Sequence, residues 1–229
     1  MRLHIRGNMG VQVLQSFVAL STLQSDEDPE IYINTSNVTG GAASEQLTKL
    51  FHCNFNIYTQ NETRKTPYWE PGCATRAFKY RDKILSRWMK LKQFDSKENL
   101  NTAVHIRGKD KPVLSKKSYR YLVDEVASKH SNVIAYTDDR DFADTLLANT
   151  PNITVSTQSS HEDWIDMYNS EVVYAGPSAF IMSMLLINPN KKVFFVGDKY
   201  CDGGYPNFAN DLLFIREAKK YCPNLEIIE

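Results

Sequence analysis

Short apolar runs alternate along this chain with longer stretches whose apolar positions recur at helical spacing, and that rhythm sets the first expectations. Leu3 to Arg6 reads as a strand and Gly7-Asn8-Met9-Gly10 as a tight turn. Val11 to Leu23 reads as a helix with Val11, Leu14, Phe17, Val18 and Leu20 on its apolar face. Ile31-Tyr32-Ile33 is a second strand, Ser44 to Phe51 a short helix capped by Ser44, and Asn56-Ile57-Tyr58 a third strand. Gln60 to Ala74 is a polar loop containing Pro67-Tyr68-Trp69-Glu70-Pro71-Gly72, whose aromatic rings either stack on a sugar or pin the loop to the core. Phe78 to Leu91 reads as one helix with Ile84, Leu85, Trp88 and Met89 on one face. Gln93 to Asn101, polar and charged, marks a break between halves.

The second half keeps a stricter alternation. Ala103-Val104-His105-Ile106-Arg107 is a strand, followed by a helix capped at Ser115 and carrying Tyr119, Leu122, Val123 and Val126. Val133 to Tyr136, Ile153 to Val155, Val172 to Tyr174 and Val193 to Val196 are further strands. Helices are expected from Phe142 to Leu147, from Ser160 through Trp164, Met167 and Tyr168, from Gly176-Pro177-Ser178 to Ile187, and from Asn210 to Tyr221. Strands alternating with helices predict an α/β fold with parallel sheets. The opening strand, glycine turn and helix resemble the start of a Rossmann-like unit, although the two glycines lack the full dinucleotide fingerprint.

Composition narrows the class. At 229 residues the chain is one large domain or two small ones, and 42% hydrophobic with 24% charged residues is ordinary for a soluble globular protein. Net charge is zero, which argues against a nucleic-acid partner. No run has the length of a transmembrane segment, and Met1-Arg2-Leu3-His4-Ile5-Arg6 is too short and charged for a signal peptide, so a cytoplasmic location is expected. Cys53, Cys73, Cys201 and Cys222 match no zinc spacing and are expected as reduced thiols.

The candidate chemistry gathers at the carboxyl ends of three second-half strands, which share one edge in an open parallel sheet. The first is Arg107-Gly108-Lys109-Asp110-Lys111: a guanidinium suited to bidentate phosphate binding, beside a glycine that admits close approach. The second is Thr137-Asp138-Asp139, whose carboxylates suit a nucleobase or ribose; Asp139 can equally cap the next helix, and Asp139-Arg140-Asp141 has the placement of a divalent-metal site. The third is Gly176-Pro177-Ser178, which opens a helix and is either an ordinary helix start or an anion site made by the N–H groups of Ser178 and Ala179; paired with Arg107 the second reading, a diphosphate clamp, is favoured. Ser160-His161-Glu162-Asp163 reads as a capping box rather than a site. His105 is either a core histidine or a second phosphate contact.

Four of these segments, in order, resemble the fucosyltransferase superfamily, which includes α-1,2-, α-1,6- and protein O-fucosyltransferases. His105-Ile106-Arg107-Gly108-Lys109-Asp110 resembles its His-x-Arg-Arg-x-Asp motif; Met9 to Gln15 resembles the Leu-Gly-Asn-Gln-Leu-Phe-Gln segment; Thr137-Asp138-Asp139 resembles Ser-Asp-Asp; and Tyr174 to Phe180 resembles the later Ser-x-Phe segment. The resemblance implies a compact GT-B-like fold: two Rossmann-like domains facing a cleft, residues 1–95 on the acceptor side and 96–229 binding the nucleotide-sugar. It implies inverting, metal-independent transfer of a sugar from a donor that is usually GDP-fucose, used as a substrate with no cofactor, to a glycan acceptor. Carried over, Arg107 holds the donor diphosphate with His105 assisting, Asp138 or Asp139 meets the nucleoside, Ser178 and Ala179 bind phosphate, and Gly10, with Asn8 near it, closes over the donor. The general base falls to Glu70, Asp202 or Asp110. Two departures stand out: Gly108 replaces the second arginine of the His-x-Arg-Arg-x-Asp motif, and Val11 replaces the asparagine of the Leu-Gly-Asn-Gln-Leu-Phe-Gln segment. Other GDP-hexoses and UDP- or dTDP-sugars stay open, as do a metal-dependent GT-A-type enzyme using Asp139 and Asp141 and a non-catalytic nucleotide- or glycan-binding module.

Overall fold

The computed structural model describes residues 2–6, 9–23, 29–34, 43–60, 70–94, 101–108, 114–196 and 208–228. The chain forms two units. Unit 1 comprises Met1–Phe94, Ala179–Asn188 and Leu213–Tyr221, and unit 2 comprises Asp95–Ser178, Pro189–Leu212 and Cys222–Glu229.

Unit 1 begins β1 (Arg2–Arg6), α1 (Met9–Leu20), β2 (Glu30–Asn34), α2 (Ala43–Leu50), β3 (Phe51–Cys53) and β4 (Asn56–Gln60). The strands β1, β2 and β4 lie side by side in that order, all parallel. α1 is buried on nearly every side: Val13, Leu14 and Phe17 are inaccessible, and so are Gln12 and Ser16. The helix starts two residues earlier than the sequence pattern predicts, so Gly10 lies in its first turn rather than in the preceding turn. The reason is packing. A Cβ on Gly10 would lie 2.5 Å from the Cα and N of Phe180, which belongs to the same unit, so glycine is demanded by backbone approach. Ser44 sits inside α2 rather than before it.

The single helix expected over 78–91 is instead α3 (Cys73–Lys79), α4 (Arg81–Arg87) and the strand β5 (Met89–Leu91). Met89 and Leu91 leave the helical path to pair antiparallel with Cys53 and Phe51 of β3. Local spacing carries no sign of a partner so far away in sequence. Helix α3 is held at its start by Glu217, whose carboxylate accepts the Gly72 N–H at 2.8 Å and the Thr75 N–H at 3.3 Å.

Unit 2 is built on β6 (Thr102–Ile106), α5 (Lys116–Lys129), β7 (Val133–Thr137), α6 (Arg140–Leu147), β8 (Ile153–Val155), α7 (Ser160–Asn169) and β9 (Val172–Ala175). After α8 (Ala179–Ile187) come β10 (Lys192–Val196), α9 (Phe208–Ala218) and β11 (Leu225–Ile228). All of α8 and the end of α9 belong to unit 1, where Arg81 donates to the Leu186 and Ile187 carbonyls that end α8. β11 has no counterpart in the sequence reading; it pairs parallel with β10, Val193 opposite Leu225.

The six strands of unit 2 form one parallel sheet in the order β11-β10-β9-β6-β7-β8. Numbered along the chain from β6, this is the 3-2-1-4-5-6 order of nucleotide-binding α/β sheets, and the direction of winding reverses between β6 and β9. One face is closed by α5 and α6 over Val104, Ile106, Leu122, Val123, Val126, Val133, Ala135 and Tyr174. Ser115 caps α5 as expected, its hydroxyl accepting the Ser118 N–H. The capping box of α7 is Ser159 with Glu162, one residue before the expected one, which frees Asp163 to turn inward, where it is buried.

Candidate active site at the switch point of the parallel sheet

The reversal between β6 and β9 puts the two strand ends side by side, with His105 in register with Ala175 on one side and with Tyr136 on the other. The three segments singled out in the sequence therefore follow neighbouring strands: Arg107 after β6, Asp138 and Asp139 after β7, and Gly176-Pro177-Ser178 after β9. Crevices at such a point are where open α/β sheets bind ligands.

Arg107 is the first residue beyond β6. Its N–H donates to the Tyr119 hydroxyl at 2.9 Å, and Tyr119 is sunk into the core of α5. The next N–H, from Gly108, donates to Asp138 Oδ1 at 2.9 Å, while Asp138 Oδ2 lies 4.0 Å from Arg107 Nε. The Arg107 side chain is 16% exposed and that of Asp138 43%. The absence of a side chain at 108 has a direct cause. A Cβ there would lie 2.8 Å from Asp139 Cβ and 2.9 Å from a ring carbon of Phe142, so any side chain at 108, a second arginine included, would force the Asp139 turn or the Phe142 ring to shift.

Asp139 acts locally. Its Oδ1 accepts the Phe142 N–H at 3.1 Å and caps α6, and its own N–H donates to Thr137 Oγ1 at 3.0 Å. Asp141 lies in the first turn of α6. Among the described residues no group of three His, Cys, Asp or Glu side chains is arranged to hold a metal ion. Gly176 lets Leu114 approach, the Leu114 Cγ standing 3.3 Å from where a Cβ would sit, and Ser178 is buried. Ala179, buried at the start of α8, belongs with Gly10 to unit 1. Asn8, Asp110 and Asp202 lie outside the described residues, as do Pro67, Tyr68 and Trp69. Glu70 is exposed, its carbonyl accepting the Cys73 N–H.

The electrostatics around β6 favour a neutral His105. Burial pushes its imidazole down to about 4, the Arg107 guanidinium adds to the fall, and Asp138 opposes it. At neutral pH His105 offers a hydrogen bond, not a charge, so among the described residues Arg107 carries the positive charge that follows β6. A second ionisable feature lies at the same sheet edge: Asp163 of α7 accepts the Ser156 hydroxyl at 2.6 Å, just beyond β8, and burial pushes its carboxyl up to about 6. The sequence reading passed over Tyr119 and Asp163 because one looks like an ordinary apolar helix position and the other like a first-turn acid. Only tertiary contacts reveal what their oxygens do.

No protein-family profile and no curated protein matches the chain. Solved structures do resemble it. One is the E. coli heptosyltransferase WaaC with ADP, at 10% identity and a TM-score of 0.49, covering 99% of this chain and 92% of that one. Another is the NodZ α-1,6-fucosyltransferase soaked with GDP-fucose, at 13% identity and 0.48, covering 82% and 92%. A third is a glycosyl transferase family 9 protein from Veillonella parvula, at 10% identity and 0.46, covering 100% and 85%. Among the described residues no helix is long and apolar enough to cross a membrane.

Proposed function

We propose that this chain is an inverting, metal-independent glycosyltransferase of GT-B type that moves a sugar, fucose first among the candidates, from a GDP-linked donor to a glycan hydroxyl. The observation that carries the reading is the placement of Arg107: one residue past β6, at the reversal point of a 3-2-1-4-5-6 parallel sheet, anchored by Tyr119 and faced by Asp138. The ordered resemblance of four segments to fucosyltransferases supports the same conclusion.

In this reaction the acceptor oxygen attacks the anomeric carbon on the face opposite the diphosphate. The carbon–oxygen bond to the diphosphate breaks, and its electron pair leaves on the phosphate oxygen. The backbone that carries Arg107 is held in place by Tyr119 and Asp138, so the guanidinium is presented at the strand end where the departing charge develops, the kind of placement that makes such stabilisation large. The acceptor proton passes to a carboxylate base, for which Glu70, Asp110 and Asp202 are the residues to test.

Arg107→Ala is expected to abolish transfer while leaving the thermal midpoint near that of the wild type; near-normal turnover in that variant sinks the assignment. Donor identity follows from melting curves recorded with GDP-, UDP-, dTDP- and ADP-sugars, since a ligand that binds only the native state raises the midpoint. Activity in EDTA separates this reading from a GT-A-type enzyme.

A further inference from the structure

We infer that Asp138 is a positioning residue for Arg107, rather than a nucleoside contact, and that it sets the orientation of the diphosphate-binding guanidinium through one carboxylate shared by two consecutive residues. The inference rests on the glycosyltransferase reading and deepens it.

The geometry is that of a clamp on the 107–108 peptide. Oδ1 of Asp138 takes the Gly108 N–H at 2.9 Å, which fixes where the backbone goes on leaving β6. Oδ2 of the same carboxylate faces Arg107 Nε at 4.0 Å. On the other side the Arg107 N–H is held by the Tyr119 hydroxyl at 2.9 Å. Two hydrogen bonds therefore fix the backbone, one to the tyrosine behind Arg107 and one from the next amide to a carboxylate oxygen, and the second oxygen stands beside the side chain at ion-pair distance. At 4.0 Å the carboxylate lies beyond hydrogen-bond reach of Nε and acts on the guanidinium, a rigid fork of five N–H donors, through its charge. Asp138 is itself held in place, because Thr137 and Asp139 on either side exchange hydrogen bonds and Asp139 caps α6. Gly108 belongs to the same device: any side chain there would push the strand end off Asp139 and carry its N–H away from Asp138. The chain has one arginine at this point and a carboxylate to aim it, where the motif it resembles has two arginines.

The test uses the full chain, the variants Asp138→Asn and Arg107→Lys, and two probes, inorganic pyrophosphate and GDP. Asparagine keeps an oxygen for the Gly108 N–H but removes the charge facing Nε. The first readout needs no ligand: the Arg107 Nε–H nuclear magnetic resonance signal, assigned by its loss in Arg107→Lys, is expected to move in Asp138→Asn. The second is affinity by calorimetry. Asp138→Asn is expected to weaken pyrophosphate and GDP alike, by about tenfold, because both are held through phosphate. In the Arg107→Lys background the same change is expected to have little further effect, the non-additivity of residues that act as one. An unmoved Arg107 signal overturns the inference. So does a loss confined to GDP, which would make Asp138 a nucleoside contact, and so do losses that simply add. If the wild type binds neither probe, the glycosyltransferase reading fails, and the resonance measurement still decides the role of Asp138.

Discussion

Gly108 shows how one missing side chain can define a site. With Asp139 Cβ 2.8 Å and Phe142 2.9 Å from the position a Cβ would take, Gly108→Ala is expected to cost about 1–3 kcal/mol, measured by urea denaturation, because the turn after β7 is tied into α6 and cannot retreat freely. Gly108→Arg, which would restore the second arginine of the motif, is expected to lose stability by the same route and to gain no activity. The residue types at this edge were legible in the sequence: Arg107 at a strand end, a cap at Asp139, and a helix opening after Gly176-Pro177-Ser178. What each oxygen bonds was not legible. Gly10 makes the same point from the other side, since a glycine early in the chain reads as a turn until the backbone of Phe180 is found against it.

At the level of elements, α7 and β6 carry two ionisable groups displaced in opposite senses. The Asp163 carboxyl is raised to about 6 from its ordinary 3.8, so the folded state holds that proton more tightly than the unfolded chain does; its contribution to stability is present at low pH and is lost as pH rises towards 6. The His105 imidazole is lowered to about 4 from its ordinary 6.5, so its contribution is present at neutral pH and is lost as pH falls through that window. The two trends oppose one another between about pH 4 and 6.5 and mask each other in the wild type. Relative to wild type, Asp163→Asn is expected to gain on the order of 2 kcal/mol as pH rises from 4 to 6.5, and His105→Gln a similar amount as pH falls across the same range. Denaturant titrations at pH 4.5 and 7 check both; parallel pH profiles for the two variants would refute the pairing. Periodicity identified most of these elements correctly because parallel strands and their covering helices bury apolar faces at fixed spacing, as in α5 with Tyr119, Leu122, Val123 and Val126. It failed at β3 and β5, three-residue strands whose pairing links positions far apart in sequence, and at β11, a strand set by its pairing with β10.

For the molecule as a whole, the informative fact is that unit 1 is not continuous in sequence. Its buried α1 packs against α8, and its α3 is capped by Glu217 from α9, so a fragment ending at Phe94 lacks both. Residues 1–94 expressed alone are therefore expected to give the circular dichroism and narrow amide dispersion of an unfolded chain, and a folded fragment would contradict this account of the core. The order of synthesis gives the same arrangement a further meaning. A ribosome releases the segment that opens unit 1 first, but the helix end that completes it, Leu213–Tyr221, emerges only after most of unit 2 has been made. Until α8 emerges, the face of α1 that packs against it stays uncovered, and this nascent chain is therefore expected to engage chaperones.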